Sequence, residues 1–428
     1  MNSPRWRHRL VALLALLTLV AAACGSDDDG GVSTGGDGEP GVTAGFDGTT
    51  ITLGVITPTT GPVAVIGLPL TEGTRTAVAE INAAGGIAGK YPIDLAVEDS
   101  AYDAPTAVQK YTALKDQVVM FAQLLGTPIV SALLDSLKED QILAQPATLD
   151  AFWVREPNLI PVGAPYQIQA ANGADWWINQ EGNDDAVMCW AGHDDPYGDA
   201  GLEGFEFAAE QLGFEIAAEV RFASTDTAPE AQGPNATRLA EAGCTFVFLT
   251  ATPSTTGALV GAAAAGGFTP QWLGQSPTWV NALAQSEALA PVLKSFFAVV
   301  TDGGLWGDET IPGMVTMLGS VAEYVPEQAA DIYFIFGYAA MKSVAQVLEA
   351  AVEAGDLSHA GLLAANASLD TITTDDLFGD YGWGDAADRV PPRVSRIFSI
   401  DPESPTTGFF VPLTDPFSSD AAEAYDFG

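Results

Sequence analysis

The sequence predicts an α/β protein made of two doubly wound lobes, each built on a parallel sheet. Three observations predict this fold class. At 428 residues the chain is too long for one ordinary domain. Its hydrophobic content of 47% is enough for two buried cores. Short apolar runs alternate with helix-type segments along most of the chain, which is typical of parallel sheets covered by helices on both faces.

The first strand–helix–strand unit follows an amino-terminal leader. Ile51 to Ile56 is rich in β-branched residues and is predicted as a buried strand. Leu70 to Ala84 is predicted as a helix that stops at Gly85-Gly86, and Tyr91 to Val97 as the second strand. Because ligands of such sheets bind beyond the carboxyl ends of the strands, the loop from Thr57 to Gly67 lies at the binding edge.

The same alternation continues through the rest of the first lobe. Asp103 is predicted to cap a helix that has Pro105 in its first turn. Val118 to Leu125 is the next predicted strand, and Gly126-Thr127-Pro128 follows it directly. The remaining predicted elements of this lobe are a helix from Ile129 to Lys138 and a short strand that starts at Ile142 and ends at Gln145-Pro146-Ala147-Thr148.

A second lobe is predicted to begin near Pro165. Its predicted strands are Ala186 to Ala191, Glu215 to Phe222, Thr245 to Thr250, Gln271 to Gly274 and Phe296 to Val300. Its predicted helices are Asp199 to Leu212, Asn235 to Ala242, Thr255 to Ala265 and Val280 to Leu289. The chain then returns to the first lobe through a long apolar helix from Gln328 to Ala354. The aromatic run in that helix, IYFIFGYAA, is explained mostly by core packing.

The amino terminus has the pattern of an export signal. Three arginines precede an apolar run from Leu10 to Val20, which is shorter than a membrane span. Ala21-Ala22-Ala23-Cys24 is similar to a bacterial lipobox, which would make Cys24 the lipid-modified first residue of the mature protein. Cleavage by the ordinary signal peptidase stays open, because Ala21 stands where such signals prefer Leu. Residues 1–24 are thus a predicted lipoprotein signal peptide, and residues 25–49 a flexible Gly/Asp-rich tether.

The charge balance excludes one class of partner. There are 55 acidic and 16 basic residues, with a formal net charge of −39. Nucleic acid requires a basic surface, so it is not a predicted partner. Direct docking on anionic lipid headgroups is disfavoured for the same reason. Two explanations of the acidity stay open: a solubilising surface, or an acidic patch for a cationic ligand.

Motifs for catalysis or metal binding are missing from the sequence. Its three histidines are His8 in the leader and the distant pair His193 and His359, and no HExxH or CxxC spacing occurs. GGIAGK lacks the spacing and the Ser/Thr of a phosphate-binding loop, and Gly274 to Thr278 ends in Thr where a GxSxG elbow needs Gly. We therefore predict that the protein is not an enzyme and uses no metal or other cofactor.

The opening unit resembles a known family. TPTTGPVAVIG, a helix ending in EINAAGGIAGK, a strand ending in an acidic pair and a DAPTAVQKY helix are similar to the periplasmic leucine/isoleucine/valine-binding proteins. These are solute receptors of branched-chain amino-acid ABC transporters, and the wider family also holds amide and urea receptors. The resemblance marks the scaffold more strongly than the ligand.

The resemblance implies a type I periplasmic binding protein fold with a hinge that the chain crosses three times. It places residues 50–165 and 302–388 in lobe 1, and residues 166–301 and 389–428 in lobe 2. The implied function is capture of a small polar solute, a branched-chain or other amino acid first, for delivery to an ABC permease on the membrane. An amide, urea or aromatic-acid receptor stays open, as does a sensory receptor on the same scaffold.

The residues themselves and the resemblance predict overlapping binding positions. The Gly126-Thr127-Pro128 junction offers free N–H groups and a hydroxyl at a helix start, which suits a carboxylate. The resemblance places Thr127 at the carboxylate-binding serine of the family, Ala147-Thr148 near a second contact, and Tyr197 where a tyrosine closes over the ligand. Thr127 as a plain helix cap and Tyr197 as a loop aromatic stay open. Thr250, at the end of its strand, is also expected to face the cleft.

Two positions depart from the family pattern. Ile66 stands where the branched-chain receptors tend to have an aromatic residue, and Ser276 lies where they place the acid that pairs with the ligand's ammonium. The ammonium would then need another partner, for which Asp302 is the candidate, or the ligand is not an α-amino acid.

Two cysteines lie outside the leader. Cys189 is in a predicted strand and Cys244 immediately precedes another that should lie beside it. In an exported protein such a pair is either a disulfide or two free thiols, and the sequence leaves both open.

Overall fold

The computed structural model describes residues 39–428, so Cys24 and most of the predicted tether lie outside the described residues. The strands are β1 Ile51–Thr57, β2 Ile93–Asp99, β3 Met120–Leu125, β4 Ala144–Ala147, β5 Met188–His193, β6 Ile216–Phe222, β7 Phe246–Thr250, β8 Gln271–Gln275, β9 Phe297–Thr301, β10 Thr371–Ile372, β11 Tyr381–Gly382, β12 Arg396–Ile400 and β13 Phe410–Pro412. The helices are α1 Ala64–Ala83, α2 Ala104–Leu114, α3 Thr127–Glu139, α4 Tyr166–Asp175, α5 Pro196–Leu212, α6 Pro229–Glu241, α7 Pro253–Ala265, α8 Asn281–Ala284, α9 Ala290–Phe296, α10 Pro312–Tyr324, α11 Ile332–Glu353, α12 His359–Ser368 and α13 Asp420–Glu423.

The first sheet has four parallel strands in the order β2-β1-β3-β4. Alternation along β1 and β3 divides their side chains between two cores. Leu53 and Met120 pack with α1 and α11 on one face, and Ile56 and Phe121 pack with α2 and α3 on the other. Helices on both faces explain why these strands are apolar almost throughout.

The second sheet has seven strands in the order β13-β12-β9-β8-β7-β5-β6. Five of them, β5 to β9, are parallel, whereas β12 pairs antiparallel with β9 and β13 pairs antiparallel with β12 at the edge of the sheet. Cys189 and Leu249 face α6 and α7, and Trp190 and Phe248 face α4 and α5. The predicted fold class, two doubly wound α/β layers, is confirmed.

The chain passes between the two sheets three times. It leaves the first sheet after β4, returns after β9 to place α11 against α1, and goes back to pair β12 with β9. Three crossings place the carboxyl ends of both sets of parallel strands around a common space. The lobe boundaries at residues 165, 301 and 388 stay predictions.

Several helix limits differ from those predicted. Helix α1 begins at Ala64 rather than at Leu70 and continues through Pro69, although proline interrupts the hydrogen bonds of a helix. The predicted helix Val280 to Leu289 is wrong, because only Asn281–Ala284 (α8) of this segment is helical and the next helix, α9, begins after it at Ala290. Asp331 starts α11 by accepting hydrogen bonds from the N–H groups of Tyr333 and Phe334. The sequence analysis missed α4, α10 and α12 altogether.

Cys189 and Cys244 form a disulfide, with their Cα atoms 5.9 Å apart. The bond joins Cys189 in β5 to Cys244, which lies two residues before the start of β7. Both cysteines are buried under α6 and α7. Within residues 39–428, every helix is either too short or too polar to cross a lipid bilayer.

Candidate functional site

A cavity lies between the two sheets, at the carboxyl ends of their parallel strands. The volume of the cavity is about 80 Å³. The cavity is therefore narrow. Eight of the nine binding residues predicted from the sequence line it: Ile66, Gly126, Thr127, Ala147, Thr148, Tyr197, Ser276 and Asp302.

One end of the cavity is polar and is formed by the start of α3 and the end of β4. The hydroxyl oxygens of Thr127 and Thr148 are 2.6 Å apart, and the Thr148 hydroxyl lies 3.4 Å from that of Tyr166. Thr127 is the first residue of α3, at the positive end of the helix dipole. Of the first three residues of α3 it alone has an N–H left to offer, because Pro128 has none and the N–H of Ile129 donates to the Gly126 carbonyl oxygen. This N–H and the threonine hydroxyls lie at the same end of the cavity, where a carboxylate would be stabilised.

Gly126 allows the chain to make this turn. Its φ of +107° lies in the region that side chains avoid, and a Cβ atom at this position would lie 2.4 Å from the Tyr102 ring. The glycine thus lets Tyr102 lie directly against the strand–helix junction, where it forms part of the cavity wall.

Tyr197 reaches the same end of the cavity from the other sheet. Asp195 caps α5 by accepting hydrogen bonds from the N–H groups of Tyr197 and Gly198, which sets the start of the helix. The Tyr197 ring lies 5.0 Å from the Tyr166 ring between centroids. Its hydroxyl is buried and has no hydrogen-bond partner among residues 39–428. Burial raises the pKa of Tyr197, so the hydroxyl stays protonated and is available as a donor.

The remaining wall is largely apolar. It comes from the start of α1, the first turn of α11, the segment around Phe378, and the strands β12 and β13. The residues are Val63, Ile66, Leu70, Leu125, Leu149, Ile332, Tyr333, Ile335, Phe336, Phe378, Phe398 and Phe410. Most were missed from the sequence. The aromatic run in α11 was the available signal, but it equally fits core packing.

Asp302 is the one charged side chain in the cavity wall as described by residues 39–428. One carboxylate oxygen, Oδ2, accepts a hydrogen bond from the N–H of Ala164, whereas Oδ1 is buried without a partner. Burial raises the pKa of this carboxyl from 3.8 to about 7. Ser276 also lines the cavity, and its N–H donates to Gln169 Oε1 at 3.3 Å.

Thr250 was expected in the cleft but lies outside the cavity. It shares the face of β7 with Phe246 and Phe248, so its side chain points beneath α5 instead. There its Oγ1 accepts a hydrogen bond of 3.2 Å from Trp190 Nε1. Thr252, two residues later, lines the cavity, and its N–H donates to Nε2 of the buried His193 at 3.2 Å.

Within residues 39–428, no group of three or more His, Cys, Asp or Glu side chains is arranged to hold a metal ion. The arrangement is instead that of a binding site: donors for one anionic or carbonyl oxygen group at one end, and a largely apolar wall in which Asp302 is the one carboxyl among the described residues.

Comparisons with known proteins agree with this arrangement. The family model described as "Periplasmic binding protein" matches residues 50–405. Among curated proteins, "Leu/Ile/Val-binding protein homolog 3" of Brucella melitensis is 33% identical over 93 residues, which are 22% of this chain and 25% of that protein. The match thus spans a quarter of that relative's length.

Among solved structures, a fatty acid ABC transporter substrate-binding protein from Thermomonospora curvata is 26% identical, with a TM-score of 0.82 over 91% of this chain and 97% of that one. A branched-chain amino acid ABC transporter protein from Thermus thermophilus with bound valine is 18% identical, with a TM-score of 0.73 over 89% and 99%. A solute-binding protein from R. palustris in complex with 4-hydroxybenzoate is 16% identical, with a TM-score of 0.70 over 86% and 97%.

Proposed function

This chain belongs to the periplasmic binding protein family, and from this premise we propose that it captures a monocarboxylic acid with a long apolar body, of the fatty-acid type. We propose further that it presents this acid to an ABC permease. The observation that carries the proposal is the cavity itself, which has one cluster of oxygen-binding donors and an otherwise largely apolar wall.

The carboxylate of the solute is assigned to the polar end. There the Thr127 N–H, one hydroxyl of the mutually hydrogen-bonded Thr127 and Thr148 pair, and the Tyr197 hydroxyl, which has no partner among residues 39–428, can donate to it. Hydrogen bonds to a charged group are each worth about 1.5–3 kcal/mol when neither partner is left in water. Such donors bind a carboxylate without a counter-ion, which fits a wall to which residues 39–428 contribute no Lys, Arg or His.

The apolar body of the solute is assigned to the wall that ends at Phe398 and Phe410. Each buried methylene contributes about 0.8 kcal/mol, so affinity should rise with chain length until the cavity is filled. The likeness to the fatty acid receptor from Thermomonospora curvata supports this class of solute.

The branched-chain amino acid implied by the sequence resemblance is the second candidate. The Leu/Ile/Val-binding relative from Brucella melitensis favours it. Ser276 stands against it, because it offers no negative charge to an ammonium at the position where the resemblance requires one.

Residues from both sheets surround the cavity, so a bound solute would stabilise the closed arrangement of the lobes through contacts with both. Outside the cavity, the Ser254 hydroxyl donates to the carbonyl oxygen of Pro62 at 3.3 Å and links α7 to the segment before α1. The proposal includes the lipid anchor at Cys24, which would hold the receptor beside its permease.

Isothermal titration calorimetry on the purified protein tests the proposal. A series of unbranched alkanoates should bind, with an affinity that rises by about fourfold for each added methylene over part of the series. Leucine, isoleucine, valine and 4-hydroxybenzoate serve as comparison solutes. Binding of leucine together with no heat from any alkanoate would establish the second candidate instead.

A further inference from the structure

Asp302 holds a fixed place in the cavity wall. It follows β9, in the segment that leaves the seven-stranded sheet, and its Oδ2 accepts a hydrogen bond from the N–H of Ala164 in another crossing segment. A Cβ atom on Gly163 would lie 2.5 Å from this oxygen, and the glycine has a φ of +82°. The backbone at Gly163 and Ala164 therefore fits closely around one side of the carboxyl, and this contact restricts rotation of the Asp302 side chain.

The other carboxylate oxygen, Oδ1, has no hydrogen-bond partner among residues 39–428, although it is buried. Two other buried aspartates show what a structural role requires. Asp331 accepts hydrogen bonds from two N–H groups at the start of α11, and Asp150 accepts hydrogen bonds from the Phe152 N–H and Gln167 Nε2. A buried oxygen without a partner is costly, so Oδ1 calls for a donor from outside the chain.

We infer that Asp302 accepts a hydrogen bond from a hydroxyl or amine on the body of the bound acid, so that the preferred solute is a substituted alkanoic acid rather than a plain one. This inference rests on the proposed function, because it uses the same cavity and the same position for the carboxylate.

The physical reason is a difference between two solutes. A plain alkyl chain that fills the cavity leaves Oδ1 of Asp302 without a donor, so the free-energy cost of the unpaired oxygen remains. A chain with an O–H or N–H group at the same depth supplies a direct hydrogen bond to this charged or polar oxygen. Sites with buried polar groups discriminate strongly against analogues that leave those groups unpaired. The raised pKa of Asp302, about 7, agrees with a carboxyl that lacks a partner.

The inference is tested by calorimetry with the wild-type protein and ten-carbon acids. The probes are decanoate, its 2-, 3- and 10-hydroxy derivatives, and its 2- and 10-amino derivatives. At least one substituted acid should bind about tenfold or more tightly than decanoate, the equivalent of one hydrogen bond to a charged group. Asp302→Leu should reduce that preference to near unity.

Two further variants make the result specific. Asp302→Asn keeps an oxygen for the Ala164 N–H, so it guards against a folding defect, and it presents an NH₂ group in place of Oδ1. The affinity of this variant for the amino-substituted decanoates should fall about tenfold or more, because the asparagine NH₂ and the ammonium of the solute are both donors. A hydroxy-substituted decanoate can instead accept a hydrogen bond from the NH₂ group. Thr301→Val changes the adjacent wall residue and should change the affinities of all the probes by the same factor.

Equal affinities of decanoate and every substituted acid for the wild-type protein would overturn the inference, as would a preference that survives in both Asp302 variants. In either case decanoate still binds, and the proposed function stands. If none of the ten-carbon acids binds the wild-type protein, the proposed function itself is wrong.

Discussion

Replacing Tyr197 with phenylalanine should weaken ligand binding without destabilising the protein. The Tyr197 side chain is 2% exposed, and its hydroxyl has no hydrogen-bond partner among residues 39–428. In the proposed complex, this hydroxyl donates to the solute's carboxylate. The substitution removes only the hydroxyl and leaves the ring against Tyr166.

The magnitudes follow from the state of the hydroxyl before and after binding. A lost hydrogen bond to a charged group costs about 1.5–3 kcal/mol, which weakens the affinity by about tenfold to more than a hundredfold. In the unliganded protein the substitution should stabilise the fold, because an unpaired buried donor itself costs about 1–3 kcal/mol. The variant should therefore unfold at the same urea concentration as the wild type or at a higher one.

The assay combines calorimetry with an alkanoate and urea denaturation without ligand. Tyr381→Phe is the matched control, because Tyr381 is also 2% exposed and its hydroxyl also lacks a partner among the described residues, yet it does not line the cavity. The control should share the effect on stability and leave the affinity unchanged. Wild-type affinity in Tyr197→Phe would refute the placement of the carboxylate beside this hydroxyl.

Three other predictions follow from the structure. Thr127→Ala should weaken binding of the acid by about tenfold or more, whereas the control Thr112→Ala, on the surface of α2, should leave the affinity unchanged. Equal calorimetric affinities of the two variants would argue against a carboxylate at the start of α3. Replacing both Cys189 and Cys244 with alanine opens a link between residues 55 apart in sequence, so the free energy of unfolding in urea should fall by about 4 kcal/mol with unchanged affinity; no loss of stability would contradict the disulfide. Burial raises the pKa of Asp302 from 3.8 to about 7, so its contribution to stability is full below the lower value and is lost as the pH rises through the higher one. Asp302→Asn should consequently gain stability over the wild type as the pH rises from about 4 to about 7 in urea denaturation, and a difference independent of pH would contradict the burial of an uncompensated carboxyl.

The local pattern of the first sheet could be predicted because its physical causes are local. Backbone sterics and nearby hydrogen bonds decide where such strands and helices begin and end. They explain the strands rich in β-branched residues, the Asp103 cap with Pro105 in the first turn of its helix, and the stop at Gly85-Gly86 after α1. The same reasoning failed for α8 and α9, since packing against the second sheet and not the periodicity decides where that segment bends.

The polar end of the cavity could be anticipated for a similar reason. A Gly-Thr-Pro junction between a strand and a helix places the threonine N–H and hydroxyl at the positive end of the helix, so Thr127 was a candidate from the sequence. Thr250 shows the limit of such reasoning. The end of a strand can be recognised from the sequence, but the phase of its alternation relative to the cavity depends on which helix covers each face.

By itself the sequence determined the class of this protein: two α/β halves, a likeness to solute receptors, and a strand–helix junction suited to a carboxylate. Only the tertiary structure decided what surrounds the solute. Phe398 and Phe410 at the edge of one sheet, Phe336 on the long helix and Phe378 between them are distant in the chain, and they meet only because the chain crosses between the sheets three times. The same crossings bury the Asp302 carboxyl and leave Oδ1 without a partner among the described residues, because that environment is built from segments remote in sequence.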